Sequence, residues 1–198
     1  MKPQPPGPSV LRAFVAAEIP EGVLKALAQV QAELKARGVR ARWTRPANLH
    51  LTLKFLGNVP ADRVAAAAAA LGSVAAGHAP FTLTATGIGV FPNPNRPRVI
   101  WAGLAGAAGE LARLQGGVEC ALEAIGFARE ARPFHGHLTL GRFAAGAGSG
   151  RIAAAVADYA AERFGSFEVA EMVLFRSDLK PEGAVYTALA RARLNESF

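Results

Sequence analysis

Six residues that occur almost twice constrain this chain more than any other feature of it. His50-Leu51-Thr52-Leu53-Lys54-Phe55 returns as His137-Leu138-Thr139-Leu140-Gly141-Arg142. In both stretches polar and apolar residues alternate with a period of two, the pattern of a strand with one buried face. The histidine and threonine of each share one face, and the leucines point the other way, into a core. A fold for this chain must hold two similar strands, each presenting an imidazole and a hydroxyl on its uncovered side.

The remaining residues read as helices and strands built around these two. Residues 10–18 form a first strand; Pro20 and Glu21 then open a helix with Val23, Leu27, Val30 and Leu34 on one face and Gly38 as its stop. Ala41 to Thr44 is a short strand, and a second helix starting at Pro60 carries Val64, Ala67, Leu71 and Val74. Phe81 to Val90 turns Thr82, Thr84 and Thr86 outward and pairs, across a proline-rich loop, with a strand from Arg98 to Leu104. A third helix aligns Leu111, Leu114, Val118, Leu122 and Ile125 and is capped by Gly126. After the second hexamer come a Gly/Ala/Ser loop from Ala144 to Gly150, a helix from Ile152 to Arg163, and strands from Phe167 to Phe175 and Ala184 to Arg193.

Strands that alternate in polarity keep one wet face, which favours antiparallel or mixed sheets over a buried parallel one. The expected architecture is α+β and bilobal: two mostly antiparallel sheets with helices packed outside, pseudo-two-fold around a central cleft. No linker divides residues 10–198, which are read as a single bilobal domain. Residues 1–9, with four prolines and a glycine, are read as a disordered tail.

With 51% hydrophobic and 19% charged residues, the chain is globular rather than disordered. Its 22 lysines and arginines against 15 acidic residues leave a net charge of +7, a field that favours polyanionic partners. No stretch approaches a membrane span and the N-terminus lacks the apolar core of a signal peptide, so a cytoplasmic monomer without a membrane partner is expected. The single cysteine, Cys120, excludes an internal disulfide and fits a reducing compartment. It falls in an apolar helical pattern and is expected to pack in the core.

Two imidazoles facing one cleft can serve as an acid and a base, because histidine titrates near neutral pH. The threonine hydroxyls two residues along are placed to donate hydrogen bonds to the same ligand group, and a phosphodiester suits such a site. Arg142 adds a planar fork that matches two phosphoryl oxygens. Of the other histidines, His78 lies in an unremarkable loop, whereas His135 could share the face of His137 but has no threonine two residues on. The sequence shows no zinc spacing, no His-Glu-x-x-His and no Gly-x-Ser-x-Gly, so neither a metal nor a serine nucleophile is expected, and no cofactor.

With these residues in view, the chain resembles the two-histidine phosphoesterases, and within them the bacterial RNA 2′,3′-cyclic phosphodiesterases also described as 2′-5′ RNA ligases. The resemblance covers nearly the whole chain. It rests on Ala13-Phe14-Val15-Ala16, on Asn48 through Gly57, on Arg132-Pro133-Phe134 before the second motif, and on Leu174-Phe175-Arg176-Ser177. The chain departs from it at Gly136, where the family commonly has proline. The resemblance implies that His50 is the proton donor to the departing ribose 3′-oxygen and His137 the proton acceptor that activates water. It implies further that Thr52 and Thr139 bind phosphate oxygens, that Arg142 clamps the phosphate, and that Phe55 stacks on the terminal base. Strict alternation would put Phe55 and Arg142 on the leucine face, so both strands must bend or bulge for these side chains to reach a ligand.

The function expected is hydrolysis of RNA 2′,3′-cyclic phosphate ends to 2′-phosphates, with RNA bearing such an end as the partner. Joining of RNA ends through a 2′-5′ bond, and RNA-end binding without catalysis, are the alternatives the sequence leaves open.

Overall fold

A computed structural model of the chain describes residues 9–144, 150–181 and 183–195. Residues 1–8 of the expected tail and most of the loop expected between Ala144 and Gly150 lie outside them. The elements follow in the order β1 (Val10–Glu18), α1 (Glu21–Ala36), β2 (Arg42–Trp43), β3 (His50–Pro60), α2 (Val64–Ala75), β4 (Phe81–Phe91), β5 (Val99–Gly106) and α3 (Ala108–Ala124). They continue with β6 (Leu138–Arg142), α4 (Gly150–Asp158), β7 (Arg163–Val169), β8 (Glu171–Lys180) and β9 (Gly183–Arg193).

The strands pair antiparallel in the order β7-β4-β5-β6-β3-β1-β8-β9, with β2 added to β6. Lobe one is β3-β1-β8-β9 and lobe two is β6-β5-β4-β7, so each duplicated strand forms the inner edge of its own lobe. The two sheets expected are instead one nine-stranded sheet, its two lobes joined through one bridge, Leu51 to Leu138. Both leucines are fully buried, worth roughly 1.5–3 kcal/mol each relative to exposure.

The helices back these lobes with the stripes that periodicity predicts. Helix α1 buries Val23, Leu27, Val30 and Leu34, and α3 buries Leu111, Leu114, Val118 and Leu122. Gly38 and Gly126 follow their ends at φ 79° and 88°. Helices α2 and α4 pack on the lobes their preceding strands belong to. By contrast, α1 leaves β1 of lobe one to pack on β7 of lobe two, and α3 leaves β5 of lobe two to pack on β3 of lobe one. Each lobe is therefore propped by a helix that enters from the other.

Several expectations need correction. Cys120 is exposed, not packed: it lies between Val118 and Leu122 in sequence and so on the far side of the helix from their stripe, where Arg129 donates to its Sγ at 2.6 Å. The run Phe167–Phe175 is two strands, because the chain crosses from the edge of lobe two to lobe one at Ala170, whose carbonyl accepts from Leu194. No glycine or proline marks that crossing. The fourth helix ends at Asp158 instead of Arg163, since Arg163 already pairs with Thr86. Strand β3 continues past Gly57-Asn58 to Pro60, held by pairing with Val10, and α2 starts at Val64 after a 3-10 turn.

Candidate active site

Both duplicated strands are bulged at the same place. In the β1–β3 ladder Ala16 faces Thr52 and Val15 faces Lys54, so Leu53 is an extra residue. In the β5–β6 ladder Trp101 faces Thr139 and Ile100 faces Gly141, so Leu140 is an extra residue. An extra residue shifts the alternation by one. From Leu51 and from Leu138 onward the two strands consequently show the same burial: buried, partly buried, buried, buried, exposed. Lys54 and Gly141 turn inward while Phe55 and Arg142 turn out beside the histidines.

Each bulge is pinned by a glutamine from a crossing helix. Gln31 of α1, which is 2% exposed, donates to the carbonyls of Leu140 and Thr44, both at 2.8 Å. Gln115 of α3 donates to the Leu53 carbonyl at 3.4 Å. The inward ammonium of Lys54 is paired with Glu119, and it also donates to the Ala128 carbonyl at 2.8 Å. Gly141 needs no such partner, and Trp43 of β2 covers it: a Cβ there would stand 3.2 Å from the indole.

The Leu51–Leu138 bridge sets the register of the seam. Continued one step either way, it places His50 across from Thr139 and His137 across from Thr52, all four on the leucine-free face. The two histidines are held alike. The Nδ1 of His50 lies 2.8 Å from the Asn48 carbonyl, and the Nδ1 of His137 lies 2.7 Å from the His135 carbonyl. A carbonyl can only accept, so Nδ1 carries the proton and Nε2 is the nitrogen left for a ligand.

Burial pushes both imidazoles below the usual histidine value of 6.5, partly offset by these carbonyl bonds. The charge of His137 lowers His50 further, and those of His135 and Arg142 lower His137. The register at Leu51–Leu138 puts both rings on one face of the sheet, one to either side of that bridge. His135 does share the face of His137, as its spacing allows, while His78 lies apart, beside Gly117 of α3.

Aromatic rings that the motif does not announce wall the cleft. Phe14 lies 4.7 Å from the His50 ring and 6.1 Å from Phe55, linking the two along β3. Tyr186 of β9 meets His50 edge-on at 5.3 Å. Around His137 stand Phe91 at 5.2 Å and Trp101 at 6.3 Å. The indole lies across Gly89, where a Cβ would come within 2.2 Å of it. Gly136 is less constrained, since a Cβ there would stand 2.7 Å from the end of the Leu111 side chain of α3, which can turn aside. Phe55 is 58% exposed, an apolar ring left open to a ligand. Among the described residues no group of three or more His, Cys, Asp or Glu could hold a metal ion, and no helix is long and apolar enough to cross a membrane.

Of the six residues expected to form the site, all lie on this face. Sequence reasoning missed Phe14, Tyr186, Phe91 and Trp101 because they come from four other strands. Only Gly89, a glycine inside a strand, hints that a large ring lies over it.

A family model described as LigT like Phosphoesterase matches residues 17–101 and again residues 104–186, one match around each His-x-Thr strand. The chain belongs to the LigT-like phosphoesterases. It is 37% identical over 180 residues to an RNA 2′,3′-cyclic phosphodiesterase of Archaeoglobus fulgidus, covering 90% of this chain and 98% of that protein. It is 38% identical over 192 residues to one of Thermus thermophilus, covering 93% and 90%. The structure of E. coli LigT complexed with 3′-AMP matches with a TM-score of 0.79 at 27% identity, over 95% of this chain and all (100%) of that one. The LigT-like fold is thus common to this chain and to phosphoesterases solved with nucleotides bound.

Proposed function

We propose that this protein hydrolyses RNA 2′,3′-cyclic phosphate termini to 2′-phosphomonoesters by acid–base catalysis between His50 and His137. The observation that carries the reading is the matched pair of imidazoles, each with Nδ1 tied to a carbonyl two residues earlier and Nε2 left for the cleft. In-line displacement at phosphorus needs a base on the side of the entering water and an acid on the side of the departing oxygen. His137 takes the proton of water, and His50 gives one to the ribose 3′-oxygen as the P–O3′ bond breaks. The phosphate stays on the 2′-oxygen.

Thr52 and Thr139 donate hydroxyl hydrogen bonds to the non-bridging oxygens, and Arg142 neutralises the charge that grows on them. Phe55 takes the terminal base by stacking, which tolerates any base. Relatives named RNA 2′,3′-cyclic phosphodiesterase support the choice of substrate. E. coli LigT, solved with 3′-AMP, with ATP and with phosphate, supports a phosphate-binding cleft. Residues 10–198 act as one domain, and the protein works as a cytoplasmic monomer on RNA ends.

The test is incubation of an oligonucleotide ending in a 2′,3′-cyclic phosphate with the protein in EDTA, together with a 5′-hydroxyl RNA. A product bearing the phosphate on the 2′-oxygen, identified by phosphorus NMR, is the expected outcome. Tight binding without turnover would make the protein an RNA-end binder, and a joined 2′-5′ product would make it a ligase.

A further inference from the structure

The cleft carries a second arginine that the duplicated motif does not contain. Arg42 of β2 stands directly across from Arg142 in the antiparallel β2–β6 ladder. Directly opposed residues leave a sheet on the same face, so the Arg42 side chain emerges beside that of Arg142. Both are exposed, and among the described residues neither is ion-paired with a carboxylate. Like charges directly opposite each other destabilise a ladder, and an anion lying between them removes that penalty. Arg40 lines the same groove.

The position of the pair says which anion. Strands β3 and β6 run antiparallel through the Leu51–Leu138 bridge, so Phe55 and Arg142 lie toward opposite ends of the cleft. At about 3.3 Å per residue they are roughly 20 Å apart along the seam, with allowance for the bulges. Less the reach of the Phe55 and Arg142 side chains, that span takes one nucleotide from its base to its reacting phosphate. With a base on Phe55 and a phosphate at the histidines, the arginines lie on the far side from the base, where an RNA strand leaving through the ribose 5′-oxygen has room to run.

We propose that Arg42 binds the phosphodiester immediately 5′ of the cyclic end, so that the protein selects a single-stranded RNA terminus over a free cyclic mononucleotide. The proposal rests on the functional reading above and names the part of the substrate that this reading leaves unassigned. Arg142 serves the reacting phosphate and Arg42 the next one along the strand.

The experiment compares a 2′,3′-cyclic mononucleotide with a dinucleotide ending in the same cyclic nucleotide, using the full chain. The wild-type ratio of kcat/KM should favour the dinucleotide, and Arg42→Ala should cut that ratio about tenfold, the scale of one charge-assisted bond. The slope of log kcat/KM against log salt for the dinucleotide should flatten by about 0.7, the value for one phosphate contact on a single strand. A dinucleotide with a neutral methylphosphonate linkage should lose the preference with wild-type protein, a result that does not depend on how the variant folds. A ratio that survives Arg42→Ala, or a methylphosphonate as good as the phosphodiester, overturns the proposal. If wild type turns over neither substrate, the functional reading fails instead. Arg42 is then judged by calorimetric binding of a 2′-phosphorylated dinucleotide against a 2′-mononucleotide, with the same tenfold ratio expected.

Discussion

Gln31 and Gln115 occupy corresponding places in the two lobes: each reaches from a crossing helix to the carbonyl of the bulged leucine in the opposite half's signature strand. The Gln31 bonds, at 2.8 Å and buried, are the stronger of the two sets. Gln31→Met keeps the volume and removes both donors, leaving the Leu140 and Thr44 carbonyls each short of a partner. The expected loss is about 1–3 kcal/mol of stability, read from denaturant midpoints. Because the Leu140 bulge aims Arg142, the same variant should raise KM. Gln115→Met, losing a 3.4 Å bond, should do less of both. Equal effects at the two positions would show that the bulges do not depend on these amides.

The pair Lys54–Glu119 is buried, with side-chain exposures of 2% and 10%. Glu119→Gln leaves the ammonium uncompensated and should cost about 3–5 kcal/mol, lowering the melting temperature by roughly 10 °C. Adding Lys54→Met to that variant should recover much of the loss, because the buried charge is then gone. A double variant no more stable than the single one would place the cost in packing, not charge.

Arg142→Lys keeps the positive charge but not the planar fork. If Arg142 makes two parallel bonds to phosphoryl oxygens, kcat/KM should fall roughly ten- to hundredfold. Near-normal turnover would reduce its part to a diffuse field.

For pH the sign follows from the direction of both shifts. Folding holds both histidines below 6.5, so their affinity for protons is weaker in the folded than in the unfolded chain. Stability from this source is complete above 6.5 and is lost as the pH falls below it. If His137 acts as the base and His50 as the acid, the first must be neutral and the second protonated, and kcat/KM should be bell-shaped with its maximum on the acid side of 6.5. His137→Ala should remove the acid limb and His50→Ala the alkaline limb, each slowing the reaction roughly 100- to 10,000-fold. A substrate whose 3′ leaving group needs no proton should rescue His50→Ala alone. Rescue of His137→Ala instead would exchange the two roles.

The sequence carried the helices and the inner strands because their apolar stripes repeat locally, as Val23, Leu27, Val30 and Leu34 do. It carried His50, Thr52, His137 and Thr139 because a strand's alternation puts them on one face by itself. The bulges were legible only as a requirement, since nothing within Leu53-Lys54 or Leu140-Gly141 declares an extra residue. Their cause is distant: an inward lysine whose partner is Glu119, and a glutamine at position 31 that finds a carbonyl at position 140. The same distance hides Tyr186, which reaches His50 only after β8 and β9 have folded back beside β1.

That return of the chain divides the molecule unequally. Strands β4 to β7 of lobe two follow one another in the sequence, whereas β1 and β3 of lobe one have their sheet extended by β8 and β9, far along the chain. The wall beside His50 is therefore supplied by the last strand, and a chain cut after Val169 would carry both histidines yet lack the Tyr186 side of the cleft.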